Sequence, residues 1–173
     1  MSLGYFDTSA LMRWVENDVP APTARNIHVA AQVALLRADP TATLGVSGLT
    51  LLELRSVICQ DWRSTHADDA AFDADWARAS NLGVMREVST GRFVVVPVPP
   101  KAPEHAATLF DLATSQHGIA LGAWDAIHLI TAAAWAYREG QVVSLYTCDD
   151  DFQRFVDHYG EFSRFVRIVD MNP

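Results

Sequence analysis

The sequence predicts an α/β domain in which helices cover a parallel sheet. Short apolar or β-branched runs alternate with longer stretches of helical pattern, the signature of that class. One run, Val94-Val95-Val96, is apolar at successive positions, as expected of a strand covered on both faces. Two of the runs are followed by acids, Asp7 directly and Asp149 after Cys148, which places carboxylates at the carboxyl edge of the presumed sheet.

Leu3 to Phe6 reads as the first strand. Thr8 and Ser9 suit a helix start, followed by Ala10 to Val15. Pro20 and Pro22 break the chain before a second helix, roughly Thr23 to Arg37. Thr43 to Val46 is a short strand, and Gly48 leads into a helix reaching about Arg63. After a polar break, Ser64 to Asp69, another helix runs roughly from Ala70 to Glu87, so that an αα-hairpin spans about Gln60 to Glu87. Phe93 to Val98 is a strand stopped by Pro99, Pro100 and Pro103. Helices follow at Pro103 to His117 and Leu121 to Tyr137. The chain closes with a strand at Val143 to Thr147, a helix at Asp149 to His158 and a strand at Val166 to Asp170. No repeat or linker interrupts this order, so one domain over 1–173 is expected.

A chain of 173 residues that is 50% hydrophobic can bury roughly two-thirds of its unfolded surface, which excludes intrinsic disorder. A net charge of -8 excludes a generally basic nucleic-acid coat while leaving room for a local basic rim. Two distant cysteines, Cys59 and Cys148, exclude a disulfide scaffold or zinc–thiolate site. The N-terminus reaches Asp7 before any basic region or long apolar run, so no signal peptide is expected and the cytoplasm is the simplest compartment. Residues Gly118 to Tyr137 carry only Asp125 as a formal charge over a length near that of a membrane span. A carboxylate at mid-bilayer costs about 2.5–3.5 kcal/mol, so a helix buried in a soluble domain is the expectation, with no membrane partner.

Most of the 21 acids fall in breaks or on polar faces, where solvation accounts for them. Four sites differ. Asp7 ends a strand and is placed either for chemistry or to cap the following helix. Glu53, inside Leu49-Thr50-Leu51-Leu52-Glu53-Leu54, borders an apolar helical stripe and otherwise reaches water from its edge. Asp125 lies in a segment without Lys or Arg, so it needs a metal, a wet cleft or a partner; His128, three residues on, is the nearest candidate. Asp149-Asp150-Asp151 puts three like charges in succession at a helix start, where a single acid would be ordinary and three call for a cation. Carboxylates from these sites facing one pocket would repel each other when empty, and magnesium or manganese suits such oxygen ligands. The chemistry supported is metal-assisted phosphodiester hydrolysis.

With these residues in place, the chain resembles the PIN-domain ribonucleases, and among them the VapC-type toxins of toxin–antitoxin pairs. The matching pieces are Phe6-Asp7-Thr8-Ser9-Ala10-Leu11, Val46-Ser47-Gly48-Leu49-Thr50-Leu51-Leu52-Glu53-Leu54, Trp124-Asp125-Ala126-Ile127-His128-Leu129-Ile130-Thr131-Ala132 and Thr147-Cys148-Asp149-Asp150-Asp151-Phe152. Each is short; their order along nearly the whole chain is the specific signal. The resemblance implies a three-layer αβα sandwich with a mainly parallel sheet and an endoribonuclease dependent on Mg²⁺ or Mn²⁺. It assigns catalysis to Asp7, Glu53, Asp125 and Asp149, with metal held by Asp7, Asp125, Asp149 and a further candidate, Asp151. Thr8, Ser9, Ser47 and Thr147 would orient carboxylates or water. It further implies an RNA substrate, transfer RNA most readily, a homodimer, and a VapB-like antitoxin that occludes the cleft.

An acidic nuclease must still hold a polyanion. All but one of the 13 basic residues are arginine, suited to forked phosphate contacts, and Arg13, Arg55 and Arg154 are candidates to rim the cleft. A phosphoacceptor receiver domain would need a lysine after Thr147, but the sole lysine is Lys101. A dehalogenase-type phosphatase would need an acid where Ser9 stands. The remaining competitor is a non-catalytic interaction module on the same fold.

Overall fold

The computed structural model describes residues 2–18, 22–65 and 84–173, with side chains described through 57 in the middle segment. Five strands form one sheet: β1 (Ser2–Phe6), β2 (Ala42–Ser47), β3 (Phe93–Val96), β4 (Val143–Thr147) and β5 (Val166–Asp170). Their order is β3-β2-β1-β4-β5, and every neighbouring pair is parallel. The helices are α1 (Thr8–Val15), α2 (Ala24–Ala38), α3 (Gly48–Thr65), α4 (Ala102–His117), α5 (Ala123–Glu139) and α6 (Asp151–His158). Residues 84–89 are also helical, whereas most of the expected αα-hairpin lies outside the described residues.

The period-two alternation of strands divides the core in two. Leu3 and Tyr5 of β1 and Val143 and Leu145 of β4 face α4 and α5, where Leu129, Ala132 and Trp135 cover them. Phe6 points the other way, into a second cluster with Leu11, Val29, Val33 and Leu54 from α1, α2 and α3. Helices on both faces of a parallel sheet give the expected three-layer sandwich. Gly45 makes part of this possible: a Cβ there would lie 2.8 Å from the Trp135 ring, so only glycine lets α5 settle so low on β2.

β3 departs from expectation. It is an edge strand of four residues, ending at Val96 rather than reaching Val98, and Val94 and Val95 are 38% and 50% exposed. The valine run reflects strand preference at a sheet edge, not cover on two faces.

The order fixes where chemistry can occur. From β1 the chain winds outward to β2 and β3, then returns to place β4 on the other side of β1. The carboxyl ends of β1 and β4 therefore flank the point where winding reverses, a place where parallel sheets open a crevice. Among the described residues no helix is long and apolar enough to cross a membrane, and Gly118 to Tyr137 supplies most of α5, which is buried along one face.

Candidate active site

An open cleft of about 620 Å³ lies at this reversal point. Asp7, Glu53, Asp125 and Asp149 all line it, although they come from the end of β1, from α3, from the start of α5 and from the end of β4.

Asp7 satisfies both readings of its position. Its Oδ1 accepts the Ala10 amide at 2.9 Å and so caps α1, yet the same carboxylate faces the cleft. The Ser9 hydroxyl donates to it at 2.8–2.9 Å and the Thr147 hydroxyl at 2.8 Å. Those hydroxyls are themselves held, because Ser9 Oγ accepts the Cys148 amide and Thr147 Oγ1 the Asp149 amide. Each hydroxyl thus takes a backbone proton and directs its own at Asp7. Asp7 is 2% exposed, and burial pushes its carboxyl above the ordinary range against the pull of the Ala10 amide, His128, Thr147 and Ser9.

Glu53 is oriented through one oxygen. Its Oε2 accepts Thr8 Oγ1 at 2.5 Å and His128 Nε2 at 3.0 Å. Burial favours the neutral acid, but the His128 and Thr8 hydrogen bonds outweigh it, so the carboxyl sits below its ordinary value. A carboxylate can only accept, so the His128 proton is on Nε2. In the neutral ring Nδ1 then accepts from Tyr5, whose hydroxyl lies 2.9 Å away and is kept protonated by burial. Tyr5 in turn meets Thr50 at 3.2 Å, and Thr50 meets Ser47 at 2.9 Å. A buried chain of hydroxyls therefore runs from the start of α3 through β1 to α5 and back to Glu53. His128 is 1% exposed and bonds Glu53, so the alternative in which it partners Asp125 is not the one observed.

Asp125 has far fewer donors. Its Oδ2 accepts the Gly122 amide at 2.9 Å, bracing the first turn of α5. A Cβ on Gly122 would sit 2.7 Å from that oxygen, so glycine is what gives the carboxylate its place. Burial raises the carboxyl to about 6, and nearby Asp149 and Asp7 add to the rise.

The acidic run divides its duties. Asp149 Oδ1 accepts the Asp151 amide at the mouth of α6, Asp151 accepts Arg154 at 3.2 Å, and Asp150 is exposed. Arg13 also lines the cleft and pairs with Glu16 at 2.7 Å. Arg55 is exposed and does not line it. Ser47 touches none of the four acids: it caps α3 by accepting the Thr50 amide. The structure adds His128, Arg25 and Asn172 to the lining. Of these, His128 alone carried a local signal, a histidine inside an apolar helix; the other two reach the site only through the fold.

Among the described residues, no group of three His, Cys, Asp or Glu side chains is drawn together closely enough to hold an ion as it stands. None of the four acids has an Arg or Lys within ion-pair distance among those residues. The donors are carboxylate oxygens, and a cation between them would relieve the repulsion that Asp149 and Asp7 impose on Asp125. That chemistry fits a hard divalent ion.

This sheet and cleft define a parallel α/β protein with an acid-lined crevice at the carboxyl edge. The PIN domain model matches residues 4–157, and the chain belongs to that family. Three solved structures share the fold. VapBC2 from Rickettsia felis, bound to a DNA fragment from its promoter, is 15% identical with a TM-score of 0.59, covering 97% of this chain and 99% of that one. DNA-bound VapBC from Salmonella typhimurium is 16% identical with a TM-score of 0.57 and 99% coverage of both chains. FitAcB from Neisseria gonorrhoeae is 16% identical with a TM-score of 0.51, covering 98% of this chain and 97% of the other. No curated protein matches the chain.

Proposed function

We propose that this PIN domain is an endoribonuclease dependent on Mg²⁺ or Mn²⁺, and the toxin of a toxin–antitoxin pair. One observation carries the nuclease assignment: four acids far apart in sequence line one cleft, and no described arginine or lysine neutralises any of them. Asp7, Asp125 and Asp149 would hold the ion, with Asp151 a further ligand if it leaves Arg154. When bound, the ion would offset charge developing on the phosphate and acidify a water.

The protein's own groups do the rest. Ser9 and Thr147 fix the Asp7 carboxylate so that it need not reorganise during the reaction. Glu53, kept ionised by His128 and Thr8, is the group suited to take the proton lost by the attacking water. The water oxygen would bond to phosphorus as the ester oxygen leaves with the electron pair of the broken bond. The toxin role and an antitoxin partner are supported by the likeness to VapBC and FitAcB chains, and a homodimer is part of the same proposal.

The test is cleavage of labelled RNA. It should occur with Mg²⁺ or Mn²⁺, stop with EDTA, and be lost in both Asp7→Asn and Asp125→Asn. Cleavage that survives both substitutions would refute the assignment of this cleft. Expression of the chain alone should arrest growth, and expression of Asp7→Asn should not.

A further inference from the structure

Among the described residues, seven carboxylates and three arginines line the cleft, so an RNA strand entering it meets a strongly negative surface. Two of the arginines are already matched: Arg13 with Glu16 at 2.7 Å, and Arg154 with Asp151 at 3.2 Å. Arg25 is different. It stands at the second position of α2, and its Nη2 donates to the Cys148 carbonyl at 2.8 Å. No carboxylate among the described residues lies within ion-pair distance of it. Its Nε is buried without a partner, and the side chain also hydrogen-bonds the Cys148 thiol. Contacts with Cys148 alone leave part of a five-donor fork open.

The guanidinium is nevertheless held in place. Asn172, which also lines the cleft, donates Nδ2 to the same Cys148 carbonyl at 3.3 Å. That carbonyl directly precedes Asp149, and the Cys148 thiol lies within the fields of both Arg25 and Asp7. An arginine fixed beside four acids, yet neutralising none of them, is a cation kept for an incoming anion.

We propose that Arg25 is the phosphate-binding residue of the cleft, taking a backbone phosphate of the RNA strand on the part of its fork that Cys148 leaves open. The proposal rests on the nuclease reading above. Arginine suits the task because its planar fork can meet two phosphate oxygens at once and stays charged at any physiological pH.

The experiment measures binding of a labelled, mixed-sequence single-stranded RNA oligonucleotide to the Asp7→Asn protein, by fluorescence anisotropy across a salt series. Adding Arg25→Ala should weaken binding roughly ten- to a hundredfold, as for loss of a hydrogen bond to a charged group. It should also lower the slope of log affinity against log salt by about 0.7, one single-strand phosphate contact. Arg25→Lys should fall between, keeping the charge without the fork. Arg164→Ala makes the same change of charge at the amino edge of the sheet, before β5, and should leave affinity near that of the parent. If Arg25→Ala does not fold, Arg25→Gln keeps a donor for the Cys148 carbonyl without charge and should show the same loss.

RNA binding that is equally affected by Arg25→Ala and Arg164→Ala would overturn the role of Arg25 and leave the nuclease reading intact. Absence of RNA binding, together with absence of cleavage by the wild type, would overturn both.

Discussion

Asp7 and Asp125 share a cleft and a rise in pKa driven by burial, but they are held in opposite ways. Asp7 is gripped by an amide and two hydroxyls, each hydroxyl itself fixed by the backbone. Asp125 has one amide and two like-charged neighbours. The first is an acid that the fold needs. The second is an acid that the fold tolerates, which is how a group kept for chemistry looks in an otherwise satisfied structure.

The largest effects should separate the two on stability while uniting them on activity. Asp7→Asn and Asp125→Asn should each reduce RNA cleavage beyond a hundredfold, as for loss of a group at a metal centre. Chemical denaturation should distinguish the alanine variants. Asp7→Ala should lose about 1–3 kcal/mol, because a cap disappears and two buried hydroxyls lose their acceptor. Asp125→Ala should lose little or gain. Equal losses would erase the contrast.

The pH dependence sharpens it. The Asp125 carboxyl rises from 3.8 unfolded to about 6 folded, so between those values the folded state binds more protons. Its contribution to stability is therefore most favourable at low pH and is lost as pH rises toward 6 and above. In EDTA, the wild type should lose up to about 3 kcal/mol relative to Asp125→Asn between pH 4 and pH 7. A flat difference between the two unfolding curves would show that Asp125 is not under load.

His128 tests whether Glu53 resembles Asp7 in being fixed from behind. His128→Gln keeps a donor and should cost about tenfold in cleavage. His128→Ala should cost up to about a hundredfold, with the metal-dependent rise in melting temperature still present. Equal loss in the two variants would deny that the donor matters. The smallest change is Gly122→Ala, which crowds the Asp125 carboxylate at 2.7 Å. It should lower cleavage severalfold while changing stability by less than about 1 kcal/mol, read from parallel assays of the same preparation.

Much of the architecture was legible because parallel strands and amphipathic helices write their periods into the chain. The ranges expected for β4 and β5 coincide with those observed, and the start of α3 at Gly48 does too. Where expectation failed, the deciding neighbour was distant. Val94-Val95-Val96 reports a preference for extended backbone, but whether a helix covers it depends on β3 being outermost. Asp125 and His128 do share a helix face, yet Tyr5 and Glu53 compete for the imidazole from 123 and 75 residues away. Arg13 and Arg154, visible as cations near acidic motifs, do line the cleft, each paired with an acid three residues from it. Arg25 gave no local sign, since its partner, the Cys148 carbonyl, lies 123 residues along the chain.

The tie between Thr147 and Asp7 spans 140 residues and joins the end of β4 to the end of the central strand, β1. The Ala10 amide and the Ser9 hydroxyl reach Asp7 from its own helix, but the Thr147 hydroxyl can do so only once β4 has paired with β1. The shell around the first acid is therefore closed by the same strand pairing that closes the sheet, so the site and the fold are completed together.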